Sequence, residues 1–142
     1  MTPDVAGLFA PRGPLARTLP SFEPRPQQAR MAQEVAAALS SGRHLLIEAG
    51  TGIGKSLAYL VPAILWAARD RALPAAERRV VVSTHTRALQ EQLVRKDLPL
   101  LERALEPLGL SFRCALLMGA ENYLCVQRLS ELGLTGGDLL EP

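Results

Sequence analysis

With 142 residues, 48% of them hydrophobic, the chain can bury one respectable core, and the length leaves no room for a second domain. A formal net charge of +2 permits a nucleic-acid partner without arguing for one, and two cysteines, Cys114 and Cys125, are too few for a disulfide framework. No apolar run is long enough to span a bilayer and no charged start leads into an apolar block, so the expectation is a soluble cytoplasmic protein without a signal peptide or membrane contact.

Residues 1–24 carry Pro3, Pro11, Pro14, Pro20 and Pro24 among scattered glycines and read as an extended arm. From Pro26 to about Ser40, Met31, Val35 and Leu39 recur at helical spacing amid alanines, and Ser41-Gly42 ends the predicted helix. His44 to Glu48 is a short apolar run that reads as a buried parallel strand. After it comes Glu48-Ala49-Gly50-Thr51-Gly52-Ile53-Gly54-Lys55-Ser56, and then Leu57, Leu60, Val61, Ile64, Leu65 and Ala68 recur at helical spacing, with Pro62 expected to kink that helix.

The order strand, glycine-rich loop and helix is that of a phosphate-binding loop. Glycines at 50, 52 and 54 let the backbone bring its N–H groups up to phosphate oxygens where a Cβ would intrude. The helix that Gly54-Lys55-Ser56 opens aims unpaired N–H groups and a positive dipole end at the same anion. The expected nucleotide site is Ala49, Gly50, Thr51, Gly52, Ile53, Gly54, Lys55 and Ser56. Lys55 reaches the β- and γ-phosphates and is the one catalytic residue the sequence offers, while the Ser56 hydroxyl ligates Mg2+. Ala49 stands where the strict pattern has its first glycine, a relaxed form that suits a residue still in the strand exit.

Beyond the loop, residues 71–79 form a polar connection, and Val80-Val81-Val82 reads as a second strand, over 79–83, leading into Ser83-Thr84. Arg87 to Lys96 is predicted helical, Asp97 and Pro99 mark a boundary, and a further helix follows through Leu105. Phe112 to Leu117 is a third predicted strand that would bury Cys114, Gly119 to Asn122 a turn, and the tail from Tyr123 a short helix before a loose Gly136-Gly137-Asp138 end. These elements predict an α/β fold of the RecA-like P-loop type, a parallel sheet flanked by helices, incomplete at its edge. An unpaired apolar strand edge predicts poor solubility of the isolated chain.

Taken with the P-loop, three stretches resemble the N-terminal part of a DinG-type DNA helicase, in the iron-sulfur, XPD-like branch of superfamily 2. Phe22-Glu23-Pro24-Arg25-Pro26-Gln27-Gln28 resembles the Q motif, in which a glutamine reads the adenine edge; a carboxamide can donate to one adenine atom and accept from another, so Gln28 takes that role and Arg25 and Phe22 flank the base. Val80 to Leu93, with Thr84-His85-Thr86-Arg87, resembles the junction that grips the backbone of single-stranded DNA, and the resemblance implies DNA contacts from Thr84, Thr86 and Gln92. Met118 to Cys125 is similar to the segment carrying the first cysteine of a [4Fe-4S] site. Only Cys125 matches a ligand, so the resemblance implies a cluster in a full-length relative alone.

The resemblance divides the chain into the arm 1–24 and a partial ATP-binding domain, 25–142, reaching the start of the iron-sulfur insertion. It implies ATP and Mg2+ as cofactors and single-stranded or forked DNA as partner. The Asp-Glu-Ala-His box that holds Mg2+ and orients the attacking water does not occur in the sequence, so missing segments would be lost or on another chain. Three functions stay open: a part of an ATP-dependent DNA helicase, a nucleotide-binding module without turnover, or another P-loop protein such as a kinase or regulatory ATPase. The upstream glutamine and the Thr84-to-Arg87 junction count against the last.

Overall fold

The computed structural model describes residues 4–19, 22–69 and 79–131. Its centre is a pair of helices. Helix α3, Pro26–Ser41, starts with proline at its first position, where a missing N–H costs nothing, and ends at Gly42. Gly42 takes φ 65° and returns its N–H to the Ala38 carbonyl, as a left-handed cap requires. Helix α4, Lys55–Ala68, packs along α3 and buries Ala58 and every residue from Leu60 to Leu65. It runs through the buried Pro62 without a break in the helix. Near the far end of the pair the Trp66 indole N–H donates to the Leu39 carbonyl at 3.2 Å.

The N-terminal segment is helical where an extended arm is expected. Helices α1, Val5–Leu8, and α2, Pro14–Thr18, place Leu8, Phe9 and Leu15 in the same core as α4. The prolines mislead because Pro14 occupies the first position of α2, where it initiates rather than breaks a helix. Asp4 caps α1 by accepting from the Ala6 N–H. Burying side chains of this size is worth roughly 1.5–3 kcal/mol each, enough to hold two short helices that would not form alone. Helix α1 lies against α3 and α2 against the later helix α6.

The helical stretch after the second predicted strand does not stop at Asp97 and Pro99. Helix α5, Arg87–Gln92, continues as a π turn, Leu93–Asp97, into α6, Leu98–Leu105, with helical dihedrals at every junction. A proline within a helix clashes with the carbonyl four residues back, and a wider π turn ahead of Pro99 relieves that clash without ending the rod. Leu93, Leu101, Ala104 and Leu105 point into the core. A one-turn 3-10 helix, Glu106–Leu108, follows, then another at Ala120–Asn122 where a turn is expected, and α7, Val126–Glu131, the short helix expected in the tail.

The three predicted strands are not formed among the described residues. Segments 44–48, 79–83 and 112–117 have no strand assignment and no backbone hydrogen bonds to one another. Leu46 is 99% exposed, Val81 82% and Leu117 83%, where buried strands were expected. Cys114, expected inside the third strand, is exposed with them. The physical reason is that a strand is a pairing and not a property of one segment: its apolar run and its unpaired N–H and C=O groups need a neighbour 4.7–4.9 Å away. What remains is a helical half-core with an open side. There α3, α4 and residues 80–84 border an apolar groove of about 450 Å3 lined by Val35, Leu39, Tyr59, Val81 and Leu89 among others. The polar connection falls almost wholly, and the loose C-terminal end wholly, outside the described residues. No helix among the described residues is long and apolar enough to cross a membrane.

Candidate nucleotide-binding site

The glycine-rich loop sits at the N-terminus of α4, the best-buried helix among the described residues. Gly52 and Gly54 take φ 81° and 82°, the left-handed region in which a side chain is strained. Gly54 is the residue that turns the chain into α4. A Cβ built on Gly52 would meet nothing within 4 Å, so the space beside this residue is open. Lys55, the first residue of α4, folds back over the loop and donates to the carbonyls of Ala49 at 3.0 Å and Gly50 at 2.8 Å. Its ammonium thus lies across the mouth of the loop, on carbonyl oxygens that a phosphate can replace as partners. Thr51 is exposed, Ser56 half-buried, and the Ile53 side chain lies against Gly50.

The two upstream residues expected at the base both contact the loop. Gln28, on the first turn of α3, is 4% exposed, and its Nε2 donates to the Gly54 carbonyl at 2.9 Å. The Arg25 guanidinium donates to the Gly52 carbonyl and also pairs with Glu23 at 3.2 Å. The packing of α3 on α4 therefore brings the glutamine-containing motif and the P-loop into direct contact across 26 residues of sequence. Phe22 packs against the core.

Downstream, Thr86 caps α5, its hydroxyl accepting from the Leu89 N–H at 3.3 Å, and the Thr84 hydroxyl donates to the Thr86 carbonyl at 3.4 Å. Gln92 is exposed but its amide reaches back to Asp97, Nε2 to Oδ2 at 3.2 Å. Thr84 and Thr86 lie on one junction, and Gln92 is at the far end of the short helix that Thr86 caps. Two residues escaped the sequence reading. Asp97 is buried with its carboxylate on the Gln92 amide, and Tyr59, one turn beyond Ser56 on α4, packs partly buried against the core. Burial is the main cause that holds the Tyr59 phenol above the ordinary value of 10.0; the Asp97 carboxylate adds to it and the Ser56 bond works against it. The spacing of Ser56 and Tyr59, three apart on a helix, was the available signal.

The residues at the loop suit an Mg2+-nucleotide. They supply left-handed glycines at a helix N-terminus, the Lys55 ammonium and the hydroxyls of Thr51 and Ser56. They do not suit an iron-sulfur cluster: Cys125 is exposed, and among the described residues no group of three or more His, Cys, Asp or Glu could hold a metal.

The family model for DEAD/DEAH box helicases matches residues 25–132. The chain belongs to the DEAD/DEAH box helicase family. That span begins at Arg25 and takes in the P-loop, the Thr84–Gln92 stretch and Cys125. Over 131 residues this DEAD/DEAH chain is 45% identical to the ATP-dependent DNA helicase YoaA of Escherichia coli K12, covering 92% of this chain and 19% of that protein. It is 50% identical over 103 residues to the ATP-dependent helicase DinG of Mycobacterium tuberculosis H37Rv, covering 72% and 15%. Against the ATP-dependent DNA helicase DinG of Escherichia coli K12 the identity is 41% over 123 residues, covering 85% and 16%. The chain thus spans less than a fifth of the length of these relatives. No solved structure matches it. Membership in the family implies a RecA-like α/β fold and ATP as the nucleotide, although the described residues pair no sheet.

Proposed function

We propose that the chain is the nucleotide-binding part of the first motor domain of an ATP-dependent DNA helicase. Within a complete protein it would take part in ATP hydrolysis coupled to movement along, and unwinding of, single-stranded or forked DNA. The observation that carries this reading is the loop itself: left-handed Gly52 and Gly54, the start of α4, and Lys55 poised on two loop carbonyls.

Ala49 to Ser56 would hold the nucleotide, with Lys55 exchanging the carbonyls of Ala49 and Gly50 for phosphate oxygens and the Ser56 hydroxyl as ligand to Mg2+. Gln28 and Arg25 would meet the base side while holding the loop's own carbonyls. Bound Mg2+ supplies charge neutralisation at the phosphates; the chain's residues bind, orient and shield them. Thr84, Thr86 and Gln92 would take phosphates of the DNA backbone, contacts that position a strand without reading its sequence. The segments 44–48, 79–83 and 112–117 would pair into a parallel sheet alongside further strands of the family's domain, in the cytoplasm, and Cys125 would serve a cluster only together with cysteines outside this chain.

A second reading is favoured by one observation, the lack of an Asp-Glu-Ala-His sequence in these 142 residues: nucleotide binding without turnover. The test is Mg2+-ATP binding and turnover by the purified chain, with and without single-stranded DNA. Lys55→Ala is expected to weaken binding by about 10- to 100-fold, the worth of a charge-assisted contact of roughly 1.5–3 kcal/mol. DNA-stimulated turnover abolished by that substitution establishes a working motor, and Lys55-dependent binding without turnover establishes the second reading. Binding that ignores Lys55 overturns both.

A further inference from the structure

Three side chains hold four carbonyls of the glycine-rich loop. Lys55 takes those of Ala49 and Gly50, Gln28 that of Gly54, and Arg25 that of Gly52. The Lys55 bonds lie within the loop, and the Gly54 carbonyl also accepts the Ala58 N–H of α4 at 3.3 Å. For the Gly52 carbonyl the Arg25 guanidinium is the one partner among the described residues. Arg25 is itself fixed at both ends. Its backbone is the N-cap of α3, with the carbonyl accepting from the Gln28 and Ala29 N–H groups at 3.0 and 3.2 Å. Its guanidinium pairs with Glu23 at 3.2 Å. Gly52 takes φ 81°, and a peptide that follows a glycine turns over at little steric cost. The peptide between Gly52 and Ile53 is trans, so its C=O and N–H point opposite ways.

We propose that Arg25 is a positioning residue for the triphosphate: by holding the Gly52 carbonyl on the α3 side, it keeps the Ile53 N–H facing the anion. This rests on the reading of the loop as a nucleotide site. The two orientations of the peptide differ in sign at the phosphate. Held, it offers an N–H; turned over, it offers a carbonyl oxygen, which repels an anion. Lys55 cannot guard against the turn, because its ammonium leaves the loop carbonyls for phosphate. The Arg25 bond comes from outside the loop and stays. It is charge-assisted, and so stronger than a bond from a neutral donor. Without it the competent orientation is only part of the population, and the apparent affinity falls by that fraction. The effect is exerted on phosphate and is shared by any ligand that carries the triphosphate, with or without a base.

The experiment displaces a fluorescent ATP analogue from the chain with Mg2+-tripolyphosphate or Mg2+-ATP, in the parent and in Arg25→Ala. The Arg25 side chain is 44% exposed, so its removal opens no cavity in the core. Affinity for tripolyphosphate should fall about tenfold, the worth of one N–H contact to an anion, and affinity for ATP at least as much. Both losses should be the same at about 50 and about 300 mM NaCl, because a bond to a carbonyl carries no phosphate charge to be screened. Amide relaxation dispersion should show more exchange at Ile53 in the variant than in the parent, a signature that general loosening does not confine to the loop. Tripolyphosphate affinity within about two-fold of the parent overturns the proposal and leaves Arg25 to the base. A loss that fades as salt rises overturns it in favour of a direct ion contact, and a loss without added exchange at Ile53 in favour of a loosened fold. Tripolyphosphate that fails to bind the parent overturns it too. Nucleotide binding by the parent that ignores Lys55 removes the functional reading and the proposal together.

Discussion

Replacing Gly54 by alanine tests the contact between the glutamine-containing motif and the P-loop. Two effects are superimposed at this position. The left-handed φ of 82° costs a non-glycine residue about 1–2 kcal/mol wherever it occurs. In addition, the new Cβ would overlap Gln28 Nε2. The amide is the far end of a flexible side chain and can swing aside, so the overlap itself is not the cost. Swinging aside breaks the 2.9 Å bond to the Gly54 carbonyl and leaves a buried amide without its partner, worth about 1–3 kcal/mol. Gly52→Ala supplies the control, because its φ is 81° and its Cβ would meet nothing. Urea unfolding followed by circular dichroism reads the difference. At a slope near 1.5 kcal/mol per molar, Gly54→Ala should lower the midpoint by about 0.7–2 M more than Gly52→Ala does. In a Gln28→Ala background the extra loss should vanish, leaving only backbone strain. Equal costs for the two glycines, or an extra loss that survives without Gln28, would refute the reasoning.

Leu15→Ala empties a fully buried position in α2 and should cost about 2–5 kcal/mol in the same assay, whereas an extended, solvated arm would register almost nothing. Thr86→Asp keeps an N-cap acceptor, so the melting temperature should hold, while the added charge should lower single-stranded DNA affinity by about tenfold, 1.4 kcal/mol; unchanged affinity would remove Thr86 from the DNA contacts. The raised Tyr59 pKa has a pH signature. Because the folded state holds the phenol proton more tightly than the unfolded chain does, its stabilising contribution is complete below 10.0 and is lost as pH rises through the higher folded value. Stability measured from pH 9 upward should fall less steeply in Tyr59→Phe than in the parent, and parallel curves would contradict the burial of that phenol.

The bounds of α3 and α4 were legible because their signals are local. Pro26 at a helix start, Gly42 in a left-handed cap and a 3.6-residue apolar period need no knowledge of what lies across the core. The P-loop was legible for the same reason, since glycines at 52 and 54 are a direct record of positive φ. Pro14 and Pro99 were misread as breakers: one begins a helix and the other is absorbed by a π turn, and only the surrounding packing distinguishes these outcomes from a chain break. The apolar runs at 44–48, 79–83 and 112–117 show the opposite failure. Their composition records a demand for burial, and composition cannot say whether a partner is present to meet it.

The sequence by itself determined the phosphate loop, the helix that follows it, the order of the motifs and the family to which the chain belongs, because each is written in residues a few positions apart. Only the tertiary structure decided that Gln28 spends its amide on the Gly54 carbonyl and that Leu8, Phe9 and Leu15 complete the core. It alone turned Asp97 inward, with its carboxylate on the Gln92 amide. The physical reason is common to all three. Burial and hydrogen-bond partnership are properties of pairs brought together by helix packing, and a single segment carries the capacity for them but not the identity of its partner.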